Sequence, residues 1–291
     1  MTWIFLTLLA VFMQAWRNAF QSLLGQEVKT AGVTLARFIL AGPIAALYLY
    51  LLYIIEPTHF PTFNTEYWLF IVGAAGMQII ATSLMVKLFK MSNFAVGAGL
   101  AKSEALVAAI LGTLFFGTTL SLLGWLGVLV GGVAIFIMSA AKGFKSLSAT
   151  TVIMGLACGS AFALTSLWVR EASLRLDLPF PYNAAWVLLM VISIQTLVLL
   201  VFLWLTDPVT IKALWQRPKL TILISVSSCL GSIGWFSAMS IQNVPYVKTL
   251  GQIEIFFTLL ISTYWLKQKV QIKDGLGLVL IAIAALLVIW G

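Results

Sequence analysis

Apolar runs of about 20 residues follow one another along almost the whole chain, separated by short polar breaks. Wound as an α-helix, a run of that length spans the roughly 30 Å hydrocarbon core of a bilayer. Read this way, the chain has ten spans: 3–24, 31–54, 67–86, 94–116, 120–141, 151–170, 183–205, 220–241, 246–266 and 274–291. The two longest connections, "EPTHFPTFNTEYW" (56–68) and "DPVTIKALWQRPKL" (207–220), carry proline and charge, and neither is long enough for a soluble domain. The linker "AKGFKSLSAT" (141–150) divides the chain nearly in half, with five spans on each side.

The polar interruptions inside the spans recur. Shifted by 150 residues, 93–141 aligns without gaps on 243–291: Asn93 meets Asn243, Glu104 meets Glu254, Thr113 meets Thr263, and Leu126-Gly127 meets Leu276-Gly277. Apolar segments match one another easily, so the weight rests on the rare residues, above all an intramembrane Glu in the same frame. Two five-span units, 1–145 and 146–291, are expected. Because five is odd, the second unit enters the membrane from the opposite side. The expected fold is therefore all-α and integral to the membrane: ten transmembrane helices as two inverted five-helix repeats. Such repeats typify secondary transporters, whose site lies at mid-depth between the halves.

Composition agrees. Hydrophobic residues make up 62% of the 291, charged residues 9%, and mean hydropathy is +1.06. A soluble domain averages about 25% charged residues. The stretch "MTWIFLTLLAVFMQAW" lacks a basic region ahead of its apolar run, so a cleaved signal peptide is not expected. Cys158 and Cys229 read as small buried hydrophobes. His59 stands in a loop with no cluster around it, so no metal site and no cofactor are expected. The net charge of +8 reflects Lys and Arg at span ends, where they meet lipid headgroups, and implies no nucleic-acid partner. The expected partners are the bilayer and a small-molecule substrate, handled by a chain that can work as a monomer.

Ionisable groups inside a span cost about 2.5–3.5 kcal/mol at the helix centre on insertion scales, so each is a functional candidate. Glu104 and Glu254 come first, as proton- or substrate-binding groups or as ion-paired helix locks. Gln14, Arg17, Asn18 and Gln21 follow i, i+3, i+4, i+7 spacing, which gives the first span one polar stripe facing a cavity or a neighbouring helix. Arg17 is shallow enough to snorkel to the interface. Arg37 is a candidate ligand for an anion or a structural partner of Glu104 or Glu27. Lys102 and Lys248, near the starts of spans four and nine, can snorkel or bind. Gln252 shares a helix face with Lys248, and Lys102 and Glu104 point to different sides if their helix is continuous. Trp186 and Trp235 are candidates for cavity lining by stacking. Pro43, after Gly42, is the hinge candidate.

Several stretches resemble a known family. "VTLARFILAGPIAALYLY" (33–50), "SEALVAAILGTLFFGTTLSLLGWLGVLVGGVAIFIMS" (103–139) and "IEIFFTLLISTYWLKQKVQIKDGLGLVLIAIAALLVIWG" (253–291) resemble the ten-span EamA-domain branch of the drug/metabolite transporter superfamily. That family often has Pro directly after the helix-four Glu and an acidic residue ending that helix; here Ala105 and Ile255, and Gly117 and Lys267, stand at those places. The resemblance implies metabolite or drug movement, often export, in a bacterial inner membrane.

The expected function is secondary-active transport of a small organic solute, an amino acid or similar zwitterion or anion, by alternating access. The alternative is export of cationic compounds gripped by the carboxylates and tryptophans. A membrane enzyme would need a convergent nucleophile, base or metal set, and the spans hold no His. No phosphate-binding G-x-x-x-x-G-K-[ST] occurs. Loop charge sets the expected orientation. Lys29, Lys87, Lys90, Lys142, Lys145, Lys212, Arg217, Lys219, Lys267, Lys269 and Lys273 fall in the odd-numbered loops, against Arg170 and Arg175 in the others. The positive-inside rule then puts both termini outside.

Overall fold

The computed structural model describes residues 1–91, 101–141, 149–265, 267 and 272–291. Its helices are α1 (Thr2–Leu24), α2 (Thr30–Ala36), α3 (Ala41–Ile55), α4 (Thr65–Met91), α5 (Glu104–Phe115), α6 (Leu122–Ala141) and α7 (Ala149–Leu174). They continue with α8 (Tyr182–Thr206), α9 (Pro208–Gln216), α10 (Pro218–Ile241), α11 (Val244–Leu250), α12 (Glu254–Tyr264) and α13 (Ile272–Trp290). The described residues contain no strand. With α2–α3 and α11–α12 each taken as one broken helix, seven described helices are long and apolar enough to cross a bilayer. Glu104–Phe115, Leu122–Ile135 and Leu276–Trp290 are shorter apolar helices.

The molecule turns large apolar side chains outward and small or polar ones inward. Phe5, Leu69, Leu197, Trp204 and Val279 are exposed, while Ala10, Ala45, Ala74, Ala108 and Ala163 are fully buried. Lipid tails solvate Leu and Phe as well as a protein core does, so helix association here relies on close packing between small residues. Accordingly α1 packs on α10, α4 on α7, α6 on α13 and α3 on α8, while α5 leans on α7 and α12 on α1. Glycines lie at the tightest of these crossings. A Cβ on Gly234 would come within 2.6 Å of the Leu6 carbonyl oxygen, and one on Gly127 within 3.0 Å of the Ala284 carbonyl oxygen. The glycines of span five thus serve packing: Gly124 abuts Tyr246, and Gly131 abuts Gln252.

Among the described residues helical structure is interrupted at three places inside the expected spans, and these breaks were not read from the sequence. Residues 37–40 separate α2 from α3. Pro43 carries no N–H to return to Ile39, so the helix cannot run smoothly through this region. The expectation of a kink at Gly42-Pro43 therefore becomes a break one turn earlier, and Pro43 itself faces outward. Neighbours complete the freed backbone: Ser225 donates to the Ala36 carbonyl at 2.6 Å and accepts from the Leu40 N–H at 3.3 Å. Thr196 donates to the Phe38 carbonyl at 3.1 Å, and the Cys229 thiol lies 3.4 Å from the Ala41 carbonyl. Irregular backbone is tolerated at membrane depth only where protein satisfies it in this way. The second break is a turn at Lys102-Ser103, and the third is a 3₁₀ turn over Gly251–Ile253.

Candidate functional site

Both buried glutamates begin a helix directly after a break: Glu104 opens α5 and Glu254 opens α12. A carboxylate in a first helical turn faces the unpaired N–H groups and the positive end of the helix dipole. The breaks therefore place each Glu where its charge is best tolerated.

Around Glu254 the polar stripe of α1 closes in. Asn18 donates from Nδ2 to Glu254 Oε1 at 2.9 Å, and Gln14 donates to Oε2. The Trp235 indole N–H donates to Gln14 Oε1 at 2.9 Å. Arg17 holds the Asn18 side-chain oxygen with two N–H groups, at 2.8 and 3.2 Å, and so orients the amide that serves Glu254. It is 2% exposed and does not snorkel. Gln21, one turn on, is also buried and reaches the Val33 carbonyl at 3.5 Å. It ties α1 to α2 and lies outside the carboxylate cluster.

The lysines are buried as well, 4% and 6% exposed, so both turn inward rather than snorkel. Lys102 pairs with Glu254 and lies 3.8 Å from Glu104. Its turn at 102–103, in place of a continuous helix, brings Lys102 and Glu104 together where helical spacing separates them. Lys248 lies 3.4 Å from Glu104, with its ammonium 4.1 Å from the Trp235 ring centroid. The pairs are crossed: each lysine meets the glutamate from the other half of the sequence. Each carboxylate is thus the counter-ion of a buried lysine. Gln252 is buried beside Gly131.

Arg37 issues from the first break. Its Nε donates to Ser228 at 3.2 Å and NH1 to Thr82 at 2.5 Å. The expected pairing with Glu104 or Glu27 does not form; Glu27 instead binds Arg217 through two bonds of 2.5 and 2.7 Å. Trp186 also stands apart from the cluster. It donates to the Tyr53 hydroxyl at 3.1 Å within an aromatic group that includes Phe60 and Phe63. Asn93, which matched Asn243, lies outside the described residues.

Arg37, Lys102, Lys248, Glu104, Gln14 and Trp235 line a central cavity of about 30 Å³, room for one or two waters. Hydroxyls not singled out from the sequence join them, including Ser232 and Thr165. A signal for some was present. "SVSSCLGS" (225–232) puts Ser225, Ser228 and Ser232 at i, i+3, i+7 on α10, the same stripe logic that selected Gln14 to Gln21. Gln78 and Gln195, bonded to each other at 2.6 Å, are a second intramembrane amide pair that this logic selects.

Ion pairs tie the two ends of the bundle. At one end Lys29 meets Asp207 at 2.6 Å, beside the Glu27–Arg217 pair. At the other, Arg175 meets Glu66 at 2.9 Å and Glu171 at 2.5 Å, and the His59 ring nitrogen lies 2.7 Å from the Asp177 carbonyl oxygen. Hydrogen bonds from Lys29 and Thr210 hold the Asp207 carboxyl below its usual range. Among the described residues no group of three or more His, Cys, Asp or Glu side chains gathers as a metal site requires.

These features define an integral, multi-pass helical membrane protein whose interior carries ion-paired charge around broken helices. The model of the EamA-like transporter family, which belongs to the drug/metabolite transporter superfamily, matches residues 149–290 of the chain. The match falls on the second half, whereas the resemblance read from the sequence also extends over 33–50 and 103–139. Members of that family are transporters. No curated protein matches the chain. A solved crystal structure, described only as that of a protein, is similar over 98% of both chains with a TM-score of 0.71 at 14% identity, a likeness of fold.

Proposed function

We propose that this protein is a secondary-active transporter with ten spans in two inverted five-helix halves, 1–145 and 146–291, moving a small organic anion or zwitterion by alternating access. Amino acids and small organic acids are both within that class, and export is the direction the family resemblance implies. The observation that carries the reading is the crossed pairing of Lys102 with Glu254 and of Lys248 with Glu104 around one cavity. Charges that link two halves at broken helices are where a solute can bind and where the halves can part.

The helix pairings support a two-fold relation. Exchanging α1 with α7, α3 with α8, α4 with α10, α5 with α12 and α6 with α13 converts the α1–α10 contact into α7–α4 and α5–α7 into α12–α1. The α3–α8 and α6–α13 contacts map onto themselves. The ion pairs at the two ends exchange in the same way, since each joins a span end or loop of one half to one of the other. The loops after spans one and seven meet at one end, which fits the charge reading that puts both on the cytoplasmic side and the termini outside, in a bacterial inner membrane. The cation-exporter alternative lacks free carboxylates, because both are occupied by lysines and Trp235 already faces an ammonium.

The test is flux in sealed proteoliposomes, with amino acids, organic anions and cations offered with and without a pH gradient. Saturable counterflow of an anion or zwitterion is expected, reduced at least about tenfold in Glu104→Gln and Glu254→Gln. Absence of saturable flux across the whole panel removes the reading.

A second measurement addresses the end where Glu27 and Asp207 are paired. Glu27→Gln combined with Asp207→Asn removes both latches there. Faster reaction of Ser232→Cys with an impermeant thiol reagent from that face is expected, by several-fold. The native Cys158 and Cys229 are buried and give little background. The Lys29–Asp207 latch contributes above the ordinary carboxylate range, about pH 4, and is lost only as pH falls through the lowered value of the folded state. Labelling of the Ser232→Cys parent, expressed relative to a free thiol at the same pH, is therefore expected to be flat between pH 5 and 8. An unchanged rate in the double variant means that these pairs do not hold the face closed.

A further inference from the structure

We infer that the solute is a dianion, a small dicarboxylate or phosphate monoester, and that Arg37 is its principal anchor. This rests on the transport reading above and narrows its substrate class.

The argument is one of charge that the protein leaves uncompensated. The cavity wall carries Arg37, Lys102 and Lys248 against a single carboxylate, Glu104. Behind it, Arg17 and Glu254 add one charge of each sign, both buried. Four cations thus face two anions, so two positive charges are left over at the centre of the bundle. Guanidinium groups do not deprotonate in proteins, and each lysine has a carboxylate beside it. The chain cannot make up the difference. Of its nine acidic residues, the seven besides Glu104 and Glu254 stand at span ends or in loops. Four of those, Glu27, Glu66, Glu171 and Asp207, are bonded to cations there.

Arg37 is the group at which the excess is most localised. It is 3% exposed and lines the cavity. Its hydrogen bonds go to two neutral hydroxyls, Thr82 and Ser228, and among the described residues no carboxylate lies within 4.0 Å of it. Those hydroxyls fix the guanidinium without neutralising it. Its planar fork matches a carboxylate or a phosphate. A buried charge without a partner is unfavourable, and here a ligand supplies the partner. Lys248, only 3.4 Å from Glu104, is the second cation in reach once that pair parts. A zwitterion brings no net charge and a monoanion brings one, so each leaves part of the excess standing.

The experiment compares matched ligands on the purified full-length protein by thermal shift and in proteoliposomes by flux: succinate against its monomethyl ester, glycerol 3-phosphate against glycerol, alanine, and tetraethylammonium. Half-saturation by the dianion at a concentration at least about tenfold below that of its monoanionic or neutral counterpart is expected. Whichever of succinate and glycerol 3-phosphate is bound identifies the carboxylate or the phosphate source. Arg37→Gln is expected to abolish the preference while leaving the unliganded melt in place. Arg37→Lys, which keeps the charge but not the fork, decides the matter if Arg37→Gln does not fold: it is expected to keep the dianion preference with affinity weakened several-fold. Equal or better binding of the monoanion or zwitterion, an unaltered preference in Arg37→Gln, or unaltered affinity in Arg37→Lys overturns the inference. Saturable flux of alanine without flux of either dianion overturns it and leaves the transport reading intact, whereas no flux of any class removes both.

Discussion

Glu254→Ala is expected to destabilise the protein by about 3–5 kcal/mol, the usual cost of leaving one member of a buried ion pair without its partner. The substitution strands Lys102, whose side chain is 4% exposed and whose other carboxylate neighbour, Glu104, is at 3.8 Å. It also leaves the side-chain amides of Gln14 and Asn18 without their common acceptor. Glu254→Gln is expected to do less damage, because its carbonyl oxygen can still accept from one amide. The informative variant is the pair Lys102→Met with Glu254→Gln, which removes both charges at similar volume. Its destabilisation is expected to fall well short of the sum of the single changes, with a coupling of about 0.5–3 kcal/mol in reversible unfolding in mixed micelles. Additive losses mean that Lys102 and Glu254 do not stabilise each other, and the lock between the halves has then to be sought elsewhere.

Gly234→Ala is expected to cost about 1–3 kcal/mol through overpacking at the α1–α10 crossing. The added methyl group meets backbone on the opposing helix, the Leu6 carbonyl oxygen at 2.6 Å and the Ala10 nitrogen at 3.1 Å, which cannot rotate away as a side chain can. Relief therefore requires α1 to move off α10. That motion stretches the adjacent bond from Trp235 to Gln14 and loosens the α1 stripe around Glu254. A fall in flux should accompany the fall in stability. Gly76→Ala is the control: it lies on the outer face of α4 with nothing within 4 Å of the new methyl, and it is expected to be neutral or slightly stabilising. Equal effects of the two substitutions count against the close crossing.

The two glutamates and the α1 stripe were legible because the bilayer penalises a polar atom wherever it stands, so its presence in an apolar run already carries information. Arg37 was visible for the same reason. Its partners were misread, because an Arg can be satisfied by hydroxyls as well as by a carboxylate. Ser225, Ser228 and Thr82 passed unnoticed because hydroxyls are cheap in a helix, where they return a bond to their own backbone. Only their spacing distinguishes a stripe from scatter. Trp186 shows the converse. Tryptophan is frequent at membrane interfaces and in cavities alike, and the contacts with Tyr53 and Phe63 are what separate the two cases.

The sequence by itself determined that the chain is a membrane protein of consecutive apolar helices, that its polar groups are few and inward, and which side chains would carry charge at depth. These follow from composition and period, which act locally and leave a mark on every segment. The tertiary structure alone decided where the helices break, that Lys102 meets Glu254 and Lys248 meets Glu104, and that Arg37 is left facing neutral hydroxyls. Ion pairs between residues 152 and 144 positions apart depend on which helices become neighbours. That choice is made by the shapes of small residues such as Gly127 and Gly234, where a difference of one methyl group decides how closely two backbones approach.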